Sequence, residues 1–510
     1  MSSTFSGLSI AARGLYSSQA GLAVTSNNIS NVNTAGYTRQ SVNQSSVAPA
    51  AVYTGSVGGG SQVDSIDQVR NARLDQKYWR QNNSVGTWEA KSMALTEMEA
   101  ILDETSSDGI SSIMDDFYAA LEDLSSDPSS SSARTVVQEM GNSICEYLNN
   151  VSEEFSQQRS DINGNIKTAV TSLNSYAEQI ADLNQQIQVA SANGADVNEL
   201  KDKRTLLIDK LSALANIEVG EVTIGTQADG TKNTIVSITV NGSALVSGGN
   251  ARQLAVYEIN DGSTQDGMYG IKWQDTGEEF SAGGGELKAY LEIRDGTGTG
   301  SETKGIPYYM SKLDEFARTF AMAFNEGIYA DGSSYYSGHA DGTGADGSTE
   351  IRFFSYDGLS SDELMAVGSD TDSIYANITA ANISLSKDVA EDVNKIAAAS
   401  ADGESDNNEV INDLISICED SRMFNTGTPS DFIGSVISTL GTESSYAQRL
   451  YDNYSNILTN TETQRSSISG VSTNEETANL TAYQQAYEAS AKIITTWDEI
   501  YQVTINLVSD

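Results

Sequence analysis

Apolar residues recur every seven positions at both ends of this chain. Leu8, Leu15, Leu22 and Ile29 form one line, with Ala12, Gln19 and Ser26 at the intervening step of four. The stripe predicts a helix of about 28 residues, roughly 40 Å long. It should close in the run holding Asn27, Asn28, Asn31 and Asn33, where Gly36 is free to turn left-handed. The intervening positions are small or polar, which favours close packing on another helix over an ordinary core. Gly14 and Gly21 weaken an isolated helix by roughly 1 kcal/mol each and suit a place where a neighbour comes near. At the far end Leu480, Tyr487, Ile494, Tyr501 and Val508 step by seven, and Tyr483, Ser490, Trp497 and Thr504 follow three residues behind the first four. Ser472 to Glu476 supplies two overlapping capping boxes just before them. Each terminus reads as half of a coiled coil. Pairing them with each other makes the remaining chain one excursion out and back.

Between the ends, no proline interrupts the stretch from about Ser132 to Ala190. Ile144, Leu148, Val151, Phe155, Ile162, Ala169, Leu173, Tyr176, Ile180, Leu183 and Ile187 step mainly by three and four. This is a helix of roughly 90 Å. Further helical patterns cover roughly 66–102, 110–125, 197–215, 304–327, 387–420 and 430–465. From Ile217 to Arg294 the period changes: Val219, Val222, Ile224, Ile235, Ile238, Val240, Leu245 and Val246 stand among glycines, and Asn241-Gly242 marks a hairpin turn. Residues 331–385 carry nine acidic side chains and one basic one with little periodicity, and read as a small exposed insertion, irregular or β.

The expected fold is therefore multidomain, α plus β. Residues 1–60 with 466–510 form a terminal coiled coil, and 61–215 with 301–330 and 386–465 form a helical arm. Residues 216–300 make an inserted outer β-rich domain, and 331–385 the small acidic insertion.

Charge sharpens this division. The 510 residues carry a net formal charge of −41, but residues 1–63 hold Arg13, Arg39 and no acid, so the rest carries −43. So acidic a chain argues against nucleic acid or an anionic membrane surface as a partner, since both call for clustered Lys and Arg. No apolar run reaches the length of a membrane span, and one arginine is too little basic charge for an interfacial helix. A two-helix stalk alone buries little apolar surface against the entropy of ordering about 60 residues, so self-assembly is the better source of neighbours. The opening MSSTFSGLSIAARGLYSSQ shows no basic cluster before an apolar stretch, so no cleavable secretory signal is expected.

Catalytic constellations fall away on counting. His339 is the single histidine and lies in a Gly/Ser/Asp-rich stretch remote from any nucleophile motif. Cys145 and Cys418 lack metal-ligand spacing and read as small buried thiols. The run Gly296 to Gly305 resembles a phosphate loop, but Lys304 precedes Gly305 where the order must be reversed. Asp341, Thr343 and Asp346 suggest a calcium loop, but Arg352 stands where its closing carboxylate belongs. The expectation is a chain that is not an enzyme and takes no cofactor or metal.

Two segments carry a resemblance. Asn28-Ile29-Ser30-Asn31 with Gly36-Tyr37-Thr38-Arg39 resembles the N-terminal signature of the axial proteins of bacterial flagella: rod, hook and hook-associated proteins. The run SGVSTNEETANLTAYQQAYEASAKIITTWDEIYQVTINL from Ser469 looks like the ending of the hook-associated members that form the hook–filament junction. Gly283-Gly284-Gly285-Glu286-Leu287, Ile306-Pro307, Lys312-Leu313-Asp314 and Pro429-Ser430-Asp431-Phe432 resemble that family's middle segments, while Thr473 stands where the family usually has Leu. Rod and hook proteins lack the long 132–190 helix; a second hook-associated protein, a hook protein or a flagellin-like chain is the alternative.

The resemblance implies export through the flagellar type III channel and a secreted protein at the hook–filament junction. Copies would assemble as a ring, terminal coiled coils innermost, arms around them and β domains outward. The implied partners are other copies, the hook protein, the second hook-associated protein and a dedicated export chaperone. The implied assembly surface comprises Leu8, Leu15, Leu22, Asn28, Ile29, Asn31, Gly36, Tyr37, Leu480, Tyr483, Tyr487, Ile494, Trp497 and Tyr501. The chaperone would hold Tyr487, Ile494, Trp497 and Tyr501 before export.

Overall fold

The computed structural model describes residues 6–48, 50–52, 55–102, 109–226, 232–263, 265–300, 303–400 and 406–509. The chain begins in helix α1 (Ser6–Ser30) and turns at Gly36, whose φ of 79° lies in the left-handed region. It leaves through a hairpin of β1 (Gln40–Ser46) and β4 (Ser61–Gln68), antiparallel, with a bulge between Asn43 and Gln44. Two short strands, β2 (Ala50–Val52) and β3 (Gly55–Val57), pair between them in sequence. Only in the final helix, Thr473–Ser509, does the chain return to lie along α1.

The arm is built from α2 (Ala72–Leu102), α3 (Ile110–Ser126), α4 (Ser131–Ala192) and α5 (Asn198–Leu214). With 62 residues, α4 spans about 93 Å and is the spine. Its first turn is capped by Ser130, whose hydroxyl accepts from the Ala133 N–H at 3.2 Å. Ile144, Leu148, Phe155, Ile166, Leu173 and Ile180 are fully buried along one face, as the step of three and four requires. Tyr176 and Leu183, at its edge, are half-buried.

Next come β5 (Ile217–Thr226), β6 (Lys232–Val240), β7 (Ser243–Ser247) and β8 (Asn250–Ala251), a four-stranded antiparallel sheet in sequence order. A hairpin of β9 (Leu254–Glu258) and β10 (Tyr269–Trp273) follows. Asn241 and Gly242, with φ of 47° and 81°, make the two-residue turn between β6 and β7, whose twist demands positive φ at both. This β region does not stand apart from the arm. Val236, Ile238, Val240, Leu245 and Val246 belong to the same core as α4, and Asn184 of α4 donates to the carbonyls of Val236 (3.2 Å) and Gly248 (2.8 Å). A small sheet with one apolar face needs a cover, and α4 provides it.

Helices α6 (Gly285–Asp295) and α7 (Ile306–Glu326) bring the chain back, and the next segment corrects the sequence expectation. Residues 331–385 are largely irregular with their acids exposed, but the segment is not an exposed insertion, because its inner side is buried in the core. They contain β11 (Phe354–Tyr356), α8 (Ser361–Met365), α9 (Thr371–Tyr375) and β12 (Ile383–Leu385), and Phe353, Phe354, Leu364, Tyr375, Ile378 and Ile383 are fully buried. Phe353 and Phe354 lie 4.9 Å apart between ring centroids and pack with Phe117, Phe320 and Phe324 at 5.2–6.3 Å. Asn325 locks the segment in place. Its Oδ1 accepts from the N–H groups of Phe353 (2.8 Å) and Phe354 (3.0 Å), and its Nδ2 donates to Phe354 O and Tyr375 Oη. Nine carboxylates on its outer side concealed an aromatic inner one.

The helical pattern expected over 387–420 is likewise broken. Among the described residues of this range only α10 (Lys387–Glu391) and α11 (Glu409–Glu419) are α-helical; between them Ile396, Ala397 and Ala398 are buried outside any α-helix. The Ala397 N–H donates to His339 Nε2 at 2.9 Å, and His339 Nδ1 donates to Ile351 O at 2.7 Å. Helix α12 (Pro429–Ser469) then runs along α2, joined by Ser92 to Gln448 and Ser444 to Glu99, each at 2.7 Å. The last helix, Thr473–Ser509, is α13.

His339 is fully enclosed and neutral, and burial lowers its pKa from 6.5 to about 4, against the opposing pull of its bond to Ile351. The unfolded chain takes up that proton at higher pH than the folded one. Stability is therefore full above about pH 6.5 and falls as pH drops towards about 4, by on the order of 3 kcal/mol. His339→Gln should flatten this part of the curve, measured by denaturant unfolding at pH 7 and pH 4.5. An equal acid loss in both chains would remove His339 as its cause.

Candidate assembly interface

The terminal helices meet along small residues. In register, Gly7 faces Trp497, Gly14 faces Ser490 and Gly21 faces Tyr483. As one number rises by seven the other falls by seven, so α1 and α13 are antiparallel. A Cβ at Gly21 would sit 2.5 Å from the Tyr483 ring, and one at Gly7 would enter the Trp497 indole; at Gly14 it would lie 3.1 Å from Ser490 Oγ. Ala11, Ser18 and Thr25, also seven apart, are buried beside this seam.

The seam thus runs one residue away from the leucine line. Leu8, Leu15, Leu22 and Ile29 are half-buried along its flank, as are Leu480, Ile494 and Tyr501 on α13, while Tyr487 is exposed. Tyr483, Ser490 and Trp497 are the half of the expected pattern that faces α1. Hydrophobicity marks the large side chains, but helices approach closest over the smallest ones. Val508 lies where side chains are outside the described set. Trp497 stacks on Tyr501 at 5.7 Å between ring centroids.

One further step of seven reaches Asn28 and Glu476, both buried. Asn28 Nδ2 donates to Glu476 Oε2 at 3.0 Å and to Gln40 O at 2.9 Å; its Oδ1 accepts from Gln40 N at 3.0 Å and Tyr37 Oη at 2.9 Å. Two donors and two acceptor sites are all an amide has. Glu476 also accepts from Arg39 Nε at 3.0 Å, and Arg39 reaches Glu475 at 3.3 Å. Burial, aided by Asp202 and Glu199, pushes the Tyr37 hydroxyl up to about 12 and keeps it a donor. Gly36 makes the bend, its Cα side against Leu206. Asn31 stands outside this cluster and bonds back to Asn27. The signature residues Asn28, Gly36, Tyr37 and Arg39 are therefore one polar knot at the foot of the helix pair, with Glu476 the member that sequence reading assigned only to a cap.

A second buried cluster joins the knot to the arm. Asp202 of α5 accepts from Thr38 N (3.1 Å) and Gln68 Nε2 (2.7 Å). Asp209, one helical repeat on, receives both guanidinium nitrogens of Arg465 (3.1 and 2.9 Å) and Trp79 Nε1 (2.7 Å). Burial pushes Asp209 up, and the Arg465 contacts oppose it. Arg465 lies 4.0 Å over the Tyr78 ring and also bonds Glu462 at 2.9 Å. Among the described residues no group of three or more His, Cys, Asp or Glu could hold a metal ion, and no helix is long and apolar enough to cross a membrane.

Two substitutions separate knot from joint. Asn28→Ala leaves Gln40, Tyr37 and Glu476 with unmet groups, and should cost on the order of 3 kcal/mol locally; amide exchange should quicken at Gln40 and in the first turns of α13 only. Arg465→Met strands the buried Asp209 carboxylate and should cost about 3–5 kcal/mol of global stability in denaturant unfolding. Unchanged exchange or unfolding in the respective variant would remove that cluster as a structural tie.

Three family models match the chain: "Flagellar hook-associated protein FlgK helical domain" over residues 95–354, "Flagellar basal body rod FlgEFG protein C-terminal" over 462–507 and "Flagella basal body rod protein" over 8–38. The two rod-protein matches fall on α13 and α1, and the first runs from the last turns of α2 through α3, α4 and α5 to the β strands, α6 and α7. Flagellar hook-associated protein 1 of Bacillus subtilis is 32% identical over 526 aligned residues, 99% of each chain. That of Escherichia coli is 27% identical over 97% of this chain and 98% of its own. In three dimensions the flagellar hook junction protein FlgK from Burkholderia pseudomallei shares the fold, with a TM-score of 0.54 at 16% identity over 78% of this chain and 100% of that one. Seam, knot and arm thus belong together: the chain is a member of the flagellar hook-associated protein 1 family, structural proteins of the hook–filament junction.

Proposed function

We propose that the α1–α13 pair is the surface through which copies of this chain assemble on the hook tip, and that the chain's role is structural and not catalytic. The observation that carries this is the unpartnered apolar face of α13. Ile493 and Ile500, which flank the glycine seam, and Val503 beyond them are 46–60% exposed, and Tyr16 on α1 is 69% exposed. A lone helix pair leaves such a face in water, whereas copies packed side by side bury it. The absence of acidic residues from 1–63 supports the same reading, because a segment repeated around a tube must avoid like charges.

On this reading Leu8, Leu15, Leu22, Ile29, Leu480 and Tyr487 contact neighbouring copies, and Asn28, Gly36 and Tyr37 hold the pair at its angle. The hook protein lies on one side of the assembly and the second hook-associated protein on the other. The chain reaches this place by flagellar export. Before assembly a dedicated chaperone covers Tyr487, Ile494, Trp497 and Tyr501; Trp497 is unavailable to it once α1 has closed over the seam.

Truncation from Ile494 should abolish filament attachment in cells while the secreted arm remains folded. Gly21→Leu, which drives a side chain into Tyr483, should reduce attached filaments at least tenfold, and Gly14→Ala, facing Ser490, should be tolerated. Normal attachment with the truncated chain would overturn this function.

A further inference from the structure

Helix α2 carries two unlike surfaces that neither the terminal pair nor the arm core uses. Near its start Arg73, Lys77 and Arg80 follow at steps of four and three, so they point within roughly 60° of one another. Arg73 and Arg80 are exposed and Lys77 half-exposed. Asp75, the acid among them, is buried and held by Arg70 at 3.0 Å.

Near its end α2 joins α3 and α4 in a groove of about 700 Å³. Ile101, Ile113 and Tyr147 give it an apolar floor, and Glu97, Glu146, Glu154 and Asp161 give it a rim. Among the described residues none of these four carboxylates is in a salt bridge; Glu97, Glu146 and Asp161 accept only from side-chain amides. Gln158 also lines the groove and is 2% exposed. Its Nε2 donates to Ala94 O and Glu97 Oε2, while its buried Oε1 accepts nothing among the described residues. An acceptor without a donor, beneath a ring of carboxylates, fits a cationic side chain.

We propose that the Arg73–Lys77–Arg80 stripe of one copy seats in this acidic groove of the next. The proposal rests on the self-assembly reading above and names a second contact for it. Glu97, Ala100 and Ile101 lie about 130° around α2 from the stripe and about 30 Å along it. Stripe and groove therefore face different ways, and a head-to-tail contact can repeat from copy to copy, closing a ring or running on as a helix. A two-fold contact would need stripe and groove together on one shared patch, which their different directions do not provide. Copies with a net charge of −41 repel one another, and this stripe brings three cations to the contact. The alkyl stems of Lys and Arg can lie on the apolar floor while their heads meet the rim.

The test is a charge swap in cells lacking the parent chain. The stripe variant is R73E/K77E/R80E, the groove variant E146K/E154K/D161K, and the third chain combines them. Each half alone should lower attached filaments at least tenfold, with secretion intact and the secreted chain melting like the parent; the combined chain should recover to within about twofold. Normal attachment with either half alone, or no recovery in the combined chain, overturns the contact. Loss with the groove variant only assigns the groove to a different protein and overturns the second-copy assignment. Should a reversed chain not fold, K77C/E154C replaces it. Isolated junctions should then show a disulfide between copies, since Cys145 and Cys418 are buried; its absence under oxidation overturns the contact. Loss on truncation at Ile494 with normal attachment in the charge variants removes this contact alone. Normal attachment after the truncation removes the reading beneath it.

Discussion

Asn28 and Glu476 stand 448 positions apart in the chain and 3.0 Å apart in space. The bond between them fixes the foot of the helix pair, and the rest of the molecule hangs from that closure. Because Asn28 also takes both the N–H and the C=O of Gln40, the strand leaving the terminal helix starts in a fixed direction. The β1–β4 hairpin and the first residues of α2 inherit it. Asp202, Asp209 and Arg465 then tie that exit to α5 and α12. Buried polar groups that are all satisfied specify geometry more than they add stability, which is their use at a joint between a stalk and an arm.

The same device recurs at the other end of the arm. Asn325 clamps Phe353 and Phe354 by backbone bonds as Asn28 clamps Gln40. In both places an amide holds the backbone at the start of a strand, and a tyrosine hydroxyl completes the set. Around Asn325 the tie is reinforced by aromatic rings packed edge-on and tilted, so the acidic segment is an integral wall of the core. Around Asn28 the tie rests on polar groups, namely Gln40, Tyr37, Arg39 and Glu476.

Charge follows the same geometry. The neutral α1 lies where copies would crowd, and the acidic surface lies along the arm. Within that surface the basic stripe of α2 is the exception, set where α2 emerges from the joint. In the contact proposed above, attraction at the stripe would oppose repulsion between acidic arms, and salt would weaken the two to different degrees because the stripe would be partly desolvated in its groove.

Much of this was legible in the sequence, and the reason is periodicity. The heptads at both ends, the unbroken step of three and four through α4 and the Asn241-Gly242 turn are local patterns that geometry forces on any amphipathic element. The terminal motifs at Asn28–Arg39 and after Ser469 located the knot's residues without revealing how they join. The sequence placed the seam on Leu8, Leu15, Leu22 and Ile29, one residue from where it runs, because hydropathy weighs large side chains while contact distance selects glycine. It read 331–385 as a small exposed insertion, irregular or β, and missed its buried side, because Phe353, Phe354 and Tyr375 are too widely spaced for any period to show. The break after Glu391 is likewise a tertiary decision: the Ala397 N–H is worth more to the His339 ring than to a helix. Only the folded chain could bring Glu476 to Asn28, Asp209 to Arg465 and Gln158 beneath four carboxylates, since no spacing rule reaches across hundreds of residues.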